Sequence, residues 1–419
     1  MSIHSPERLP ETQGDIRMNL LWTGITILLI ILLLIAGALL DIVTGLKVRH
    51  PKLPERKAVS GQNRLLYFTQ GRELFHDMLR EISEAKDHIH LSFFIFEADN
   101  VGRQWLDLLK KKAAEGVEVR LLVDFLAAFK LRSKKAELAR AGVQLAFSGK
   151  VGFPFTVYAL NRRNHRKIGV IDGRVGYFGG FNVSRDYLGQ TPEKGPWHDN
   201  HLKVVGESVA ELQRRFLEDW RRSGGSVADR RAFFPKHEKG PSKLVLIATD
   251  GKQIETIFAE KLAAARESII IGSPYFIPSR KLMDVLMDRL EHGVKLMILL
   301  PMKRDHALVR PASFHYLQPL IEKGAGLFHF YQGFFHSKAF VVDRKLAYIG
   351  TTNFDQRSFF LNDELSGFTD DPVIVRNVLD QLQREIRNFS VEVDAAKVRN
   401  RSPIEKLKTI CSAWFSFFL

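Results

Sequence analysis

The longest hydrophobic segment of the chain lies near its N terminus. Residues Met18–Leu40 include no charged side chain, and a helix of this length spans about 34 Å, against about 30 Å for the hydrocarbon core of a bilayer. A signal peptide has a shorter apolar run followed by small residues, whereas Asp41 follows Leu40 directly. We therefore predict a retained transmembrane helix over residues 18–40, after an N-terminal tail over residues 1–17.

Beyond this segment, short apolar runs alternate with segments of helical length, and the pattern occurs twice. The run His88–Phe96 corresponds to Ser268–Phe276 at an offset of 180 residues, and Gly116–Val123 corresponds to Gly293–Leu300 at an offset of 177. Such alternation is typical of α/β sheets. We predict two duplicated α/β domains, each with its own sheet, related by a pseudo-twofold axis.

Two hydrophilic segments mark the predicted domain boundaries. His50–Lys57 contains two prolines, and Arg222–Ser242 is rich in Gly, Pro, Ser and charged residues. The predicted organisation is a linker over residues 41–60, a first domain over 61–225, a connector over 226–242, a second domain over 243–390 and a basic and aromatic tail over 391–419.

One short motif is present in both halves with the same internal spacing. Each copy has a His, a Lys two residues later, an Asp five residues after the Lys, and a Gly-x-x-Asn element that begins seven residues after the Asp. The residues of the first copy are His165, Lys167, Asp172, Gly179, Gly180 and Asn182, and those of the second copy are His336, Lys338, Asp343, Gly350, Thr351 and Asn353. Two such copies in register with a repeat of the whole domain are hard to obtain by accident.

The spacing of the motif predicts a shared site. Alternate residues of a strand point to the same face, so the His and the Lys of each copy should project together. A second strand that ends in Gly-Gly or Gly-Thr then turns and presents the Asn beside them. Pairing the two halves about the pseudo-twofold axis brings two His, two Lys and two Asn together.

These groups suit attack on a phosphodiester. An imidazole acts as a nucleophile when neutral and as an acid when protonated, so two histidines can divide the roles. Lys and Asn side chains can hold the non-bridging phosphate oxygens. Because the lysines supply positive charge, we expect neither a metal ion nor another cofactor. A zinc site at His198 and His201 is disfavoured, since no Cys or further His lies close by.

The net charge of the chain limits the classes of partner that it can bind. The chain has 62 Lys and Arg against 47 Asp and Glu, a net charge of +15, which points to nucleic acid or anionic lipid. All of this net charge lies beyond the apolar span, and the positive-inside rule predicts a single-pass protein of the cell membrane with its C-terminal part in the cytoplasm. We therefore expect an anionic membrane and no nucleic acid as partner. The single cysteine, Cys411, excludes a disulfide framework.

The duplicated motif resembles that of the phospholipase D superfamily, and its longer context resembles the bacterial cardiolipin synthases. The similarity runs from about Leu65 to the C terminus and includes the stretches Trp197–Leu202, Ser273–Pro278 and Gly350–Glu364. It implies transfer of a phosphatidyl group from one phosphatidylglycerol to another through a phosphohistidine intermediate, giving cardiolipin and glycerol. Many members have two N-terminal spans, whereas this chain has one.

The resemblance also implies residue roles. It makes His165 the nucleophile and His336 the general acid and base. The residues expected to grip the phosphate are Lys167, Lys338, Asn182 and Asn353. Asp172 and Asp343 are expected to organise the site through hydrogen bonds rather than to touch substrate.

Further candidates support the histidines or the phosphate. Glu364 is a candidate to orient one histidine, with Asp199 or His201 as its counterpart in the other half. Many superfamily members have Ser where this chain has Gly180. A hydroxyl contact to phosphate is therefore expected only from Thr351.

Three other interpretations start from the same residues. A hydrolytic phospholipase D would use water in place of the second lipid, and the motifs cannot separate it from a transferase because the first chemical step is the same. A nuclease is disfavoured by the membrane anchor, and a catalytically inactive lipid-binding protein by the two intact motifs. The C-terminal tail is typical either of a segment at an anionic membrane surface or of a terminal helix packed on the domain.

Overall fold

The computed structural model describes residues 13–49, 59–228, 230–303, 308–414 and 416–418. These residues belong to two compact units. One unit contains the N-terminal helix and residues 152–160. The other contains the remaining described residues, including both copies of the motif.

In the first unit, helix α1 spans Gln13–Arg49. Among the described residues it alone is long and apolar enough to cross a membrane, over Met18–Val48. The helix continues through residues 41–49, part of the predicted linker, because no proline lies between Leu40 and Pro51. Residues 50–58 of the linker and residues 1–12 of the tail lie outside the described residues. Asp41 of α1 accepts a hydrogen bond from the backbone N–H of Tyr158 at 2.8 Å.

The elements of the second unit alternate along the chain as the hydrophobic pattern predicts. In chain order the described strands are β1 Val59–Phe68, β2 His88–Phe93, β3 Glu118–Asp124, β4 Val143–Ser148, β5 Ile168–Ile171, β6 Val175–Gly179, β7 Trp197–His198, β8 His201–Gly206, β9 Ser242–Asp250, β10 Ser268–Gly272, β11 Phe276–Ile277, β12 Lys295–Pro301, β13 Gly326–Phe330, β14 Phe334–Phe335, β15 Ala339–Val342, β16 Leu346–Gly350, β17 Phe354–Asp355, β18 Asp363–Thr369 and β19 Ser390–Glu392.

The helices that follow α1 lie between or after these strands in the chain, and all belong to the second unit except α5, whose residues 156–160 belong to the first. They are α2 Gly71–Glu84, α3 Asn100–Ala114, α4 Lys135–Arg140, α5 Thr156–Asn161, α6 Val209–Arg222, α7 Ile254–Ala263, α8 Arg280–Glu291, α9 Val309–Glu322, α10 Gln356–Phe360, α11 Pro372–Phe389, α12 Ala395–Arg399 and α13 Pro403–Ala413. Short 3-10 helices occupy Phe129–Lys134, Arg185–Leu188, Arg231–Phe233 and Ser416–Phe418.

The strand order confirms the duplication. Counted outward from the middle of the sheet, the first half runs β1-β8-β6-β5-β2-β3-β4 and the second half runs β9-β18-β16-β15-β10-β12-β13, with β19 added at the edge. Corresponding strands therefore occupy corresponding places. The long helices α6 and α11 pack their apolar faces on one side of the sheet, where residues such as Phe216 and Leu382 are buried.

The expectation of a separate sheet in each half is wrong. The halves share one sheet of fifteen described strands, because β1 and β9 pair in antiparallel fashion from Val59 opposite Leu246 to Asn63 opposite Ser242. Each of these strands would otherwise be an edge with unpaired N–H and C=O groups, and pairing them satisfies both edges. The spacing of the two motifs is thus set by a continuous backbone ladder.

A buried arginine also joins the two halves. Arg166 lies between His165 and Lys167 and has no exposed surface. Its guanidinium donates to both carboxylate oxygens of Asp219 at 2.8 Å, and it reaches Asp250 and the carbonyl oxygen of Thr249 on β9. The residue between the two motif side chains thereby fixes the first motif against the second half.

We expect the substitution Arg166→Met to lower the free energy of unfolding by about 3 kcal/mol, because it leaves the carboxylates of Asp219 and Asp250 buried with less positive charge. This loss is at the low end of the range expected when a buried ion pair is broken, because Arg222 still contacts the carboxylates of Asp219 and Asp250. Urea denaturation of the detergent-solubilised chain, followed by tryptophan fluorescence, measures it. Arg280→Met is the matched control, because that side chain is 96% exposed. Equal midpoints for the two variants would contradict the assignment.

Candidate active site

Both motif histidines lie just before their strands and bond to the opposite half. β5 begins at Ile168 and β15 at Ala339, so the predicted strand positions of the His and Lys residues fall in the segments that lead into the strands. The backbone N–H of His165 donates to the carbonyl oxygen of Asp363 at 2.9 Å, and that of His336 donates to the carbonyl oxygen of His198 at 2.7 Å. These bonds replace the ladder bonds that a longer strand would make.

Each histidine ring meets a carboxylate from the other half. His165 Nδ1 lies 3.1 Å from both carboxylate oxygens of Glu364, and His336 Nδ1 lies 2.7 Å from Asp199 Oδ2. Glu364 and Asp199 have no exposed surface. Glu364 directly follows Asp363, and Asp199 directly follows His198, the two residues whose carbonyl oxygens accept from the histidine backbones. The two arrangements therefore correspond. Asp199 is therefore the counterpart of Glu364.

The two carboxylates are held differently, which accounts for the Gly180 and Thr351 difference between the motifs. The Thr351 hydroxyl donates to Glu364 Oε2 and accepts from the Leu365 N–H at 2.9 Å. At Gly180 an added Cβ would lie 1.9 Å from Asp199 Oδ1. The shorter Asp thus occupies the space that a side chain at position 180 would need. The Thr351 hydroxyl proton goes to Glu364 and not to the place expected for phosphate.

Charges in the site set the protonation of these groups. Burial alone would raise the pKa of Glu364 and Asp199, but the adjacent histidines and lysines outweigh burial and lower both pKa values. Burial lowers the pKa of His165 below its ordinary value, although Glu364 opposes the shift. At neutral pH the His165 ring is therefore mainly neutral, with an unprotonated nitrogen that can attack.

The two motif lysines are buried close to one another. Lys167 has no exposed surface and Lys338 is 1% exposed. Lys167 Nζ donates to the carbonyl oxygen of His165 at 2.7 Å, and Lys338 Nζ lies 3.7 Å from Asp199 Oδ2. Burial, and next the positive charge of Lys338, lower the pKa of Lys167 to about 7. An anion between the two ammonium groups would relieve this repulsion.

The two motif asparagines differ in their partners. The amide oxygen of Asn182 accepts from the Ile95 N–H at 2.9 Å, and its amide nitrogen donates to the Tyr187 hydroxyl at 2.7 Å. The side-chain oxygen of Asn353 is buried, and among the described residues it has no hydrogen-bond partner. Asn182 is thus tied to the fold through both side-chain atoms, whereas the side-chain oxygen of Asn353 is left as a hydrogen-bond acceptor among the described residues.

The motif aspartates lie at the far end of their strands from the histidines. Asp172 accepts hydrogen bonds from the backbone N–H groups of residues 86–88 at 2.8–3.0 Å, where β2 begins. Asp343 does the same for residues 266–268 at the start of β10. Because β5 and β15 run antiparallel to β2 and β10, these carboxylates are separated from the site by the length of a strand. The structure gives them a role in folding and does not bring them to the histidines.

The rings of His201 and His198 have other partners than the motif histidines. His201 is buried, which lowers its pKa to about 3, and its ring packs against Phe181. His198 Nδ1 pairs with Glu385 Oε1 at 3.0 Å. Within the described ranges, no group of three or more His, Cys, Asp or Glu side chains is arranged to hold a metal ion.

Two aromatic residues that the motif analysis did not single out face the histidines. The ring of Phe94 lies 5.2 Å from that of His165, with Lys167 Nζ 5.5 Å from the same phenyl ring. The indole of Trp197 lies 4.9 Å from the His336 ring. Phe94 directly follows β2 inside the apolar run His88–Phe96, and Trp197 is two residues before Asp199. Neither position carries a sequence signal that distinguishes it from an ordinary core aromatic residue.

We expect anion binding to the site to take up a proton at Lys167. With a pKa of about 7, Lys167 is mostly neutral at pH 8, and a bound dianion restores the ammonium form, so uptake should approach one proton per chain at pH 8 and decline as the pH falls below 7. Calorimetry of sulfate binding in buffers with different ionisation enthalpies measures the uptake. Sulfate is suitable because it does not titrate in this range.

Lys167→Arg is the matched control for this experiment. It keeps a positive charge at every pH used, so sulfate should still bind while most of the proton uptake disappears. The same uptake in the wild-type chain and in Lys167→Arg would contradict the assignment to this lysine.

Comparison with known proteins gives the same organisation. A family model described as "Cardiolipin synthase, PLD-like domain" matches residues 78–220 and 258–388, one match in each half. The minor cardiolipin synthase ClsB of Bacillus subtilis (strain 168) is 36% identical over 364 residues, which cover 87% of this chain and 91% of that protein. The major cardiolipin synthase ClsA of the same organism is 39% identical over 339 residues, 77% of this chain and 70% of that protein.

Solved structures agree on the fold. Phosphatidylserine synthase of Haemophilus influenzae Rd KW20 has a TM-score of 0.68 at 14% identity, covering 89% of this chain and 100% of that one. Polyphosphate kinase of Porphyromonas gingivalis has a TM-score of 0.54 at 14% identity, covering 80% of this chain and 49% of that one. With a family match in each half and relatives above 35% identity over most of the sequence, the chain belongs to the cardiolipin synthase family of phospholipase D-like proteins.

Proposed function

We propose that this chain transfers a phosphatidyl group from one phosphatidylglycerol to the terminal hydroxyl of another, giving cardiolipin and glycerol. The crossed pairing of His165 with Glu364 and of His336 with Asp199, around two buried lysines, carries the proposal. It supplies two imidazoles of fixed orientation beside two lysine side chains that can bind a phosphate. The relatives named as cardiolipin synthases support phosphatidylglycerol as the substrate.

In the first half-reaction, Nε2 of His165 attacks the phosphorus of the donor lipid. Glu364, which holds Nδ1, stabilises the positive charge that the ring gains as the P–N bond forms. The P–O bond to glycerol breaks, and His336 gives a proton to the departing oxygen. Lys167, Lys338 and the amide nitrogen of Asn353 donate to the non-bridging oxygens, whose charge grows in the transition state.

In the second half-reaction, His336 removes the proton from the terminal hydroxyl of the second phosphatidylglycerol. The resulting oxygen nucleophile attacks the same phosphorus, the P–N bond breaks, and His165 returns to its neutral form. His336 ends protonated, as it began, so the cycle is balanced. Asp199, buried against Nδ1 of His336, fixes the orientation of the ring.

We also propose where this reaction takes place. Helix α1 fits a single-pass membrane anchor, and the basic residues after the span, Lys47, Arg49, Lys52, Arg56 and Lys57, favour a cytoplasmic location for the catalytic halves. The partners are phosphatidylglycerol, cardiolipin and an anionic membrane rather than nucleic acid. The net charge of +15 suits that surface.

Purified protein incubated with phosphatidylglycerol alone should form cardiolipin and glycerol in equal amounts. Substituting His165→Ala should lower the rate by about 1000-fold or more, because the covalent route is lost. Thin-layer chromatography of the lipids and an enzymatic assay of glycerol measure both products. Phosphatidic acid as the sole lipid product would reject the transferase and favour the hydrolase.

The order of the histidines is tested with a donor whose leaving group is p-nitrophenol, which departs without a proton. His336→Asn should release one equivalent of p-nitrophenolate per chain in a burst and retain the phosphatidyl group, because His165 still attacks but the acceptor is not deprotonated. His165→Asn should show neither burst nor covalent label. The opposite pattern, with label held only in His165→Asn, would exchange the two roles.

A further inference from the structure

The C-terminal helix α13, Pro403–Ala413, has its polarity inverted. Its buried residues are Thr409 and Ser412, while Ile404, Leu407 and Ile410 are 67%, 60% and 52% exposed. A helix that serves only to complete a domain turns its apolar face inward. In α13 the small polar side chains face the protein and the large apolar ones face outward.

The exposed apolar residues form one stripe with a lysine on each edge. At about 100° per residue, Ile404, Leu407, Ile410, Cys411 and Trp414 fall within about 120° of the helix circumference. Lys406 and Lys408, both exposed, lie about 40° beyond the two edges of that stripe. Trp414, at the end of the helix, is 81% exposed. Lysines beside an apolar stripe are typical of helices that lie in a membrane interface, where their stems cover the stripe and their ammonium groups meet lipid phosphates.

The helix is well formed and firmly attached, so the exposed stripe is not that of a frayed end. Ser402 and Glu405 form a complete capping box at its start. Arg401 donates to Thr409 Oγ1 at 3.0 Å and to Gln318 Oε1 at 3.2 Å, which joins α13 to α9. The sequence left two alternatives for the tail, a helix packed on the domain or a segment at the membrane surface. Both can hold for α13, because one face of the helix packs on the protein and the opposite face is exposed.

The end of the tail packs next to the second motif. The rings of Phe417 and Phe360 stack with centroids 6.3 Å apart, and Phe360 belongs to α10. Another α10 residue, Ser358, accepts a hydrogen bond from the backbone N–H of Asn353 at 3.3 Å. The segment after α13 therefore contacts α10, and α10 in turn bonds the backbone of Asn353 in the second motif.

We propose that α13 docks in the headgroup region of an anionic bilayer, with its apolar stripe toward the acyl chains and Lys406 and Lys408 on lipid phosphates. Charge complementarity selects this occupant: interfaces between protein copies are depleted in lysine, whereas anionic lipid attracts it. The apolar helix α1 keeps such a surface within reach. This docking concerns the orientation of the protein on the membrane and does not depend on which phosphatidyl acceptor the active site uses.

The single cysteine of the chain lies on the stripe and is exposed, so the full-length protein can be labelled there with the fluorophore NBD. After reconstitution into vesicles of phosphatidylglycerol and phosphatidylcholine, NBD at Cys411 should emit at shorter wavelength and be quenched by lipids brominated on their acyl chains. Charge reversal at Lys406 and Lys408 together should reduce the quenching by about half or more. Because α1 is unchanged, every variant stays in the vesicles.

Charge reversal at Lys252 and Lys295, two exposed lysines of the same half, is the matched control and should leave the quenching unchanged. NBD fluorescence that aqueous iodide still quenches in anionic vesicles would overturn the proposal. Equal quenching in pure phosphatidylcholine would reject the preference for anionic lipid. Shielding in detergent that grows with protein concentration would identify a second copy as the occupant. The readout needs no turnover, so it is independent of the proposed reaction.

Discussion

Each histidine of the candidate site depends on a carboxylate from the opposite half of the chain. Glu364 reaches His165 and Asp199 reaches His336, and both carboxylates are buried. Neither half holds a complete pair, so the chemistry requires the two halves to be docked at a fixed spacing. The antiparallel pairing of β1 with β9 supplies this spacing, and Arg166 reinforces it from the position between the motif residues.

The same arrangement explains why the two copies of the motif are not identical. A duplicated site with strict symmetry would assign both histidines the same role. Here a longer carboxylate, Glu364, is tied to Thr351, while a shorter one, Asp199, fills the space beside Gly180. The asparagines differ as well, since Asn182 is bonded to the fold and Asn353 retains an unpaired oxygen among the described residues. The surroundings of the His165 and His336 rings therefore differ, although the spacing of residues within the two motifs is the same.

Burial of two lysines in one pocket is unfavourable unless an anion joins them, because like charges in a dry site repel. The lowered pKa of Lys167 reflects burial first and the charge of Lys338 second, which the carboxylates of Glu364 and Asp199 offset only in part. An anionic phosphodiester would offset the remainder. On the outer surface the inverted polarity of α13 follows the same logic, since apolar side chains exposed to water are unfavourable until a membrane covers them.

The sequence by itself determined the apolar span, the duplicated α/β halves and the residues of the two motifs, because hydrophobic period and motif spacing are local properties of a chain. Family resemblance added Glu364 and Asp199 as candidates but left His201 beside them. Only the tertiary structure decided that the halves share one sheet and that Asp199 meets His336. It also decided that Asp172 and Asp343 cap distant strand ends and that Thr351 serves Glu364. These outcomes depend on which strand edges meet and on a few ångströms of side-chain length, and neither is encoded in any local stretch of residues.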